Sequence, residues 1–167
     1  MRIYLVRHAE SVDRIPEMPD SARHLTARGR VSFREMARLF REAWAHPARI
    51  VTSPFVRAVQ TAEILAETLH YDGEVAVAPQ LSPGFDMEGM MAVLDGFPGE
   101  PEIVFVGHEP DLGKVLTRLL SLPKGYAMRK GSIAALDLPD AGDRLRAVFA
   151  WLLAGDRRIE DPAMLAP

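Results

Sequence analysis

Two arginines and two histidines are the residues whose types and spacing suit chemistry on an anion. Arg7-His8 follows at once on the apolar run Ile3-Tyr4-Leu5-Val6, and Gly107-His108 on Ile103-Val104-Phe105-Val106. Arg57 lies just past Ile50-Val51-Thr52, in the segment opened by Ser53-Pro54. Short unbroken apolar runs read as buried strands, so each group stands where a strand leaves the core. Guanidinium groups are permanent cations whose forked donors match phosphate oxygens. An imidazole attacks phosphorus when one ring nitrogen is free and the other is held, here by an expected bond to a backbone carbonyl. A second imidazole, if protonated, stabilises charge on the group in transfer. The set therefore suits phosphoryl transfer, with His8 as nucleophile and Arg7, Arg57 and His108 around the phosphoryl oxygens. Ser53, at a helix start whose first-turn amides add positive potential, is a further candidate phosphate contact. Taken singly, each has a plainer reading: an arginine after a strand is usually a solvated charge, and His46 and His70 near helix ends answer the helix dipole.

For these side chains to meet, three strand ends must share one edge of a sheet. The chain alternates accordingly. After the first strand, Ser11 to Arg23 carries Pro16 and Pro19 and reads as a loop forming one wall of the site. Thr26 reads as the cap of a helix with Phe33, Met36, Ala37, Phe40 and Trp44 on its inner face, ending near His46-Pro47. Ile50 to Thr52 is a strand, and Ser53-Pro54 opens a helix to about His70. Glu74 to Ala78 is a third strand, Asp86 to Leu94 a short helix, and Glu102 to Val106 a fourth strand. A helix beyond Pro110 buries Leu112, Val115, Leu116, Leu119 and Leu120. Ile133 to Leu138 and Leu145 to Leu153 then suit an antiparallel hairpin across Pro139 to Asp143, and the last dozen residues show no pattern. Such alternation predicts an α/β fold: a three-layer α/β/α sandwich on a mainly parallel central sheet of about six strands. Ligands of open α/β sheets bind outside the carboxyl ends of the strands, where the three candidate ends gather.

Composition narrows the function classes. A net charge of -3 argues against a general nucleic-acid binder, so positive potential must be local. The absence of cysteine excludes disulfides, thiolate metal sites and cysteine nucleophiles. No two histidines have ligand spacing on one helix, and the arginines would repel a cation, which disfavours a metal hydrolase. The first apolar run is too short for a signal peptide or a membrane span. A single soluble, cytoplasmic domain over residues 1–167 is expected, with no membrane partner. A monomer is expected because no long exposed apolar stripe is visible.

Leu5-Val6-Arg7-His8-Ala9-Glu10 resembles the Arg-His-Gly signature of the histidine phosphatase superfamily, with Ala9 in place of the commoner glycine. Ser53-Pro54-Phe55-Val56-Arg57-Ala58-Val59-Gln60-Thr61-Ala62 resembles its second motif, and Val106-Gly107-His108-Glu109-Pro110 its third. Leu25 to Arg30 resembles the segment that opens its first helix. The resemblance implies a phosphoglycerate mutase-like fold and transient phosphorylation of His8. It implies Arg7, Arg57 and His108 on the phosphoryl oxygens, release of inorganic phosphate by water, and no metal or organic cofactor. The short chain and Arg-His-Ala-Glu look closest to the SixA-type phosphohistidine phosphatases of that superfamily.

Ester-cleaving members place a glutamate acid just beyond the third strand. Here that place reads Leu81-Ser82-Pro83, with Asp86 the next carboxylate. An alkoxide leaving group needs a proton, and a positioned acid is worth about 10²–10⁴-fold. An imidazole, whose conjugate acid has a pKa of about 6.5, leaves without strong acid. The expected substrate is therefore phosphohistidine on a protein. The alternatives are a small phosphorylated molecule, hydrolysed as a phosphomonoester with Asp86 or Glu10 as acid, and a non-catalytic phosphate-recognition module. Asp86 reads equally as a helix cap and Glu10 as a solvated charge. Arg23, His24 and Lys130 lie in loops near the expected pocket and read first as solvated groups.

Overall fold

The apolar runs pair into one seven-stranded sheet in the order β3-β2-β4-β1-β5-β6-β7. The structure, a computed structural model, describes residues 1–139 and 146–165. The strands are β1 (Arg2–Arg7), β2 (Arg49–Thr52), β3 (Val75–Val77), β4 (Glu102–Gly107), β5 (Ile133–Asp137), β6 (Val148–Ala154) and β7 (Arg157–Ile159). The helices are α1 (Ala27–Glu42), α2 (Val56–Leu69), α3 (Met87–Asp95) and α4 (Asp111–Leu119). β1 and β4 are apolar on both faces because both are covered. Ile3, Leu5, Ile103 and Phe105 pack with α3 and α4, while Tyr4, Val6, Val104 and Val106 pack with α1 and α2. The expected three-layer α/β/α architecture is thus present.

The sheet is mixed rather than mainly parallel, and has seven strands rather than about six. β1–β4, β2–β4 and β2–β3 are parallel; β1–β5, β5–β6 and β6–β7 are antiparallel. The reason lies in the segment after α4. It climbs back to the carboxyl ends of the parallel strands, where Arg7 N–H donates to Ser132 O, so β5 starts beside Val6 and runs the other way. β7 was not expected: Arg157-Arg158-Ile159 has no apolar pattern and pairs only as the edge of β6.

Helix ends also shift. α1 stops at Glu42, not near His46, because Trp44 adopts the left-handed conformation (φ 57). Trp44 is consequently 83% exposed, not on the inner face. α2 starts at Val56, since Ser53 Oγ is taken up by the Phe55 amide and Phe55 is extended. The expected turn residues Asp140 to Asp143 and the expected strand start at Leu145 lie outside the described residues.

Candidate active site

Register brings the three strand ends together. β1 and β4 align Arg7 with Gly107, and β2 and β4 align Thr52 with Val106. The ladder continues one residue further: His8 N–H donates to Gly107 O at 3.0 Å and Ser53 N–H to Val106 O at 2.9 Å. His8, Ser53 and His108 therefore emerge side by side, and the two imidazole centroids lie 5.2 Å apart. The His8 segment is fixed from behind by α1 and α2. Thr26 N–H donates to Glu10 O at 3.0 Å, and Ala9 N–H donates to Thr61 Oγ1 at 3.1 Å. At Gly29 a Cβ would stand 2.1 Å from Glu10 O, so only glycine lets the first turn of α1 approach this closely.

His8 is buried, and its Nδ1 lies 2.8 Å from Ala9 O. A carbonyl only accepts, so Nδ1 carries the proton and Nε2 keeps its lone pair. Arg57 Nε donates to that Nε2 at 3.2 Å. Burial pushes the His8 imidazole down to about 3, helped by His108, Arg57 and Arg7 and opposed by the Ala9 carbonyl. His8 is thus neutral at physiological pH. His108 Nε2 is 2.8 Å from Ser53 Oγ, and burial followed by the Arg57 charge pushes this ring down to about 4. Without an anion His108 is therefore neutral. Ser53 Oγ already accepts from the Phe55 amide at 3.3 Å, so its hydroxyl is suited to donate to His108 Nε2. That arrangement leaves the proton on His108 Nδ1.

Arg7 Nη1 donates to Met128 O at 2.6 Å. Arg7 Nε and His108 Nδ1 are buried with no partner among the described residues, an arrangement that costs about 1–3 kcal/mol per group unless a ligand supplies the bond. Together with His8 Nε2 they form a site that can take a tetrahedral oxyanion.

One site residue escaped the sequence reading. Asp20, in the wall loop, accepts from Arg57 twice: its carbonyl from Nη1 at 2.6 Å and its Oδ2 from Nη2 at 3.0 Å. Its Oδ1 accepts from Arg23 and Arg14. Burial works to raise the Asp20 carboxyl, but hydrogen bonds from Arg23, Arg57 and Arg14 overcome it and hold the group well below the usual range. The available signal was an acid between two arginines in a loop already placed beside the site.

The candidate acids have partners of their own. Glu10 is clasped by Thr26 Oγ1 at 2.9 Å and Arg28 Nη2 at 2.5 Å. Asp86 is exposed and caps α3 through the Gly89 amide at 2.9 Å. Arg23 braces the wall loop by donating to Val12 O and Ser11 Oγ, while His24 and Lys130 are exposed. Among the described residues no group of three His, Cys, Asp or Glu could hold a metal ion, and no helix is long and apolar enough to cross a membrane.

Residues 3–102 match the histidine phosphatase superfamily (branch 1), a span holding Arg7, His8 and Arg57. The chain belongs to this superfamily. An uncharacterized protein of Picosynechococcus is 30% identical over 88% of this chain and 90% of its own length. The phosphohistidine phosphatase SixA of Escherichia coli is 26% identical over 92% of this chain and 94% of its own length. The structure of the protein histidine phosphatase SixA complexed with tungstate superposes with a TM-score of 0.82 at 25% identity, over 93% of this chain and 97% of that one. The α-ribazole phosphatase of Shigella flexneri shares the fold at 18% identity (TM-score 0.70, 96% of each chain). This histidine phosphatase is a SixA homologue and a hydrolase of phosphoryl groups.

Proposed function

We propose that this histidine phosphatase hydrolyses phosphohistidine on a protein, through a phosphoenzyme intermediate on His8. The observation that carries the substrate class is the state of Asp20. Its carboxylate is bonded to Arg57 of the site, and Arg57, Arg23 and Arg14 hold it ionised, so it gives no proton to a leaving alkoxide. A phosphohistidine whose second ring nitrogen is protonated departs as neutral imidazole and needs none. The likeness to SixA over nearly the whole chain supports the same reading.

His8 Nε2 attacks phosphorus, the substrate P–N bond breaks, and its electron pair stays on the departing imidazole. The phosphoryl group is then on His8 Nε2, and the charge on the ring is met by Ala9 O at Nδ1–H. Arg7 Nε, Arg57 and His108 Nδ1–H bind the phosphoryl oxygens. Ser53 sets the tautomer of His108, which engages its hydroxyl proton, while its amide is engaged by Val106 O. Water attacks next, the bond to Nε2 breaks, its electron pair returns to the ring, and the proton lost by water leaves with inorganic phosphate. No organic cofactor enters these steps.

The test compares kcat/KM on a phosphohistidine protein and on alkyl phosphate esters, alongside His8→Ala. A preference for the protein substrate, acid-labile phosphate trapped on His8 and loss of turnover in His8→Ala are expected. Alkyl esters as the better substrates would favour a small-molecule phosphomonoesterase, and near-normal turnover in His8→Ala would rule out the mechanism.

A further inference from the structure

Arg7 is the cation with the least support of its own. Its Nη1 is fixed by a backbone carbonyl, Met128 O at 2.6 Å, and its buried Nε has no partner among the described residues. The position of that carbonyl therefore sets the position of the guanidinium. Met128 is not in a helix or strand; its segment climbs past α4 towards β5. The segment is pinned to α4 and to the residue just before the turn into it. Tyr126 N–H donates to Thr117 Oγ1 at 3.0 Å, and the Thr117 hydroxyl donates to Gly113 O at 2.7 Å. Met128 N–H donates to Glu109 Oε1 at 3.2 Å. At Gly113 a Cβ would stand 2.2 Å from Tyr126 O and 2.8 Å from Glu109 Oε2, so segment, carboxylate and helix meet where no side chain fits.

We infer that Glu109 is a positioning residue for Arg7, acting through the two ends of Met128: its carboxylate holds the amide, and the carbonyl holds the guanidinium. The inference rests on Arg7 as a ligand of the phosphoryl oxygens. Glu109 follows His108 directly, so its carboxylate ties the segment that holds Arg7 to the strand end that carries His108. Burial raises its carboxyl, against which the Met128 amide, the Arg7 guanidinium and the Gly113 amide favour the ionised form. Glu109 also lines a groove of about 800 Å³ with Gly113, Thr117 and Tyr126. It supports the site from behind and does not touch the phosphoryl group. Positioning of this kind matters because a misplacement of about 1 Å can cost on the order of 10²-fold in rate.

The experiment measures tungstate affinity by calorimetry in Glu109→Leu, Glu109→Ala and Glu109→Gln, each in the wild-type and Arg7→Ala backgrounds, with Tm recorded for all. Leucine keeps the volume and alanine does not, so either variant that folds carries the test. Loss of the acceptor should weaken tungstate by about tenfold. Glutamine, which keeps an oxygen for the Met128 amide, should stay within about threefold of wild type. In the Arg7→Ala background the loss should vanish, because the two residues act as one unit; a general loss of stability would not vanish there. Wild-type affinity in Glu109→Leu and Glu109→Ala, or an undiminished loss in the Arg7→Ala background, overturns the inference alone. Wild-type affinity in Arg7→Ala removes its premise together with the reading of Arg7 as a phosphate ligand.

Discussion

A histidine attacks phosphorus only through an unprotonated nitrogen, and at His8 the Ala9 carbonyl fixes which one by taking the proton-bearing Nδ1. Nε2 accepts from Arg57 Nε, a bond the incoming phosphorus must displace. The same Arg57 is held by Asp20, whose carboxylate accepts from Nη2 at 3.0 Å and so sets a negative charge next to a cation of the site. A like charge near an anion site costs about 1 kcal/mol at effective dielectrics typical of partly solvated pockets. Asp20→Asn keeps an acceptor for Arg57 Nη2 and removes that charge. We expect it to bind tungstate about fivefold more tightly than wild type, measured by calorimetry. Weaker binding would mean that Asp20 matters mainly by orienting Arg57. Arg7, His8 and His108 were legible as candidates because each comes at the end of a short apolar run that reads as a buried strand, and Arg57 because it opens the helix after one; register brings the strand ends together. Asp20 was not, because its place depends on the path of a proline-containing loop ending in a one-turn helix (Asp20–Ala22), which no periodicity reports.

At the scale of elements, α1 does more than cover the sheet. Thr26 caps it by accepting from the Gly29 amide at 2.9 Å and also donates to Glu10 Oε1, so the helix start and the chain after His8 share one network. The contact is backbone to backbone at Gly29 and cannot be relieved by rotating a side chain. Gly29→Ala should therefore shift the His8–Glu10 segment. We expect about 1–3 kcal/mol of destabilisation in urea unfolding and a drop in kcat/KM on the same substrate. A variant as stable as wild type would show that the helix start can move away without harm. The start of α1 was readable from Leu25-Thr26, and its inner face from the spacing of Phe33, Met36, Ala37 and Phe40, all buried. Its end was not, since a turn at Trp44 with positive φ has no glycine or proline of its own to mark it.

For the whole molecule, the direction of β5 was the feature the sequence could not supply. Alternating helices and strands imply parallel pairing only when each connection returns the chain to the end from which the preceding strand started, and the stretch between α4 and β5 instead climbs back to the opposite end. The outcome places Ser132 and Gly131 beside His8, with the Gly131 amide donating to Arg7 O and His8 O at 3.1 Å each. The site is thereby closed on both sides, and both histidines are buried. Burial has a consequence for stability. The folded-state values of His8 and His108, about 3 and about 4, lie below the unfolded value of about 6.5. Between those values the unfolded chain binds more protons, so stability is full above pH 6.5 and falls as the pH drops towards 4. Asp20, held below its usual range, adds a loss in the same direction only below about 3.8. Glu109, raised by burial, opposes the slope above its unfolded value, as one group against two. Urea unfolding at pH 7, 5.5 and 4.5 should therefore show a stability that declines with acid before ordinary carboxylates titrate. In His108→Gln, which loses one of the two groups, the slope between pH 6 and 5 should fall by about half, since each unprotonated histidine contributes up to about 1.4 kcal/mol per pH unit. An unchanged slope in that variant would mean that the His108 ring is not held neutral by the fold.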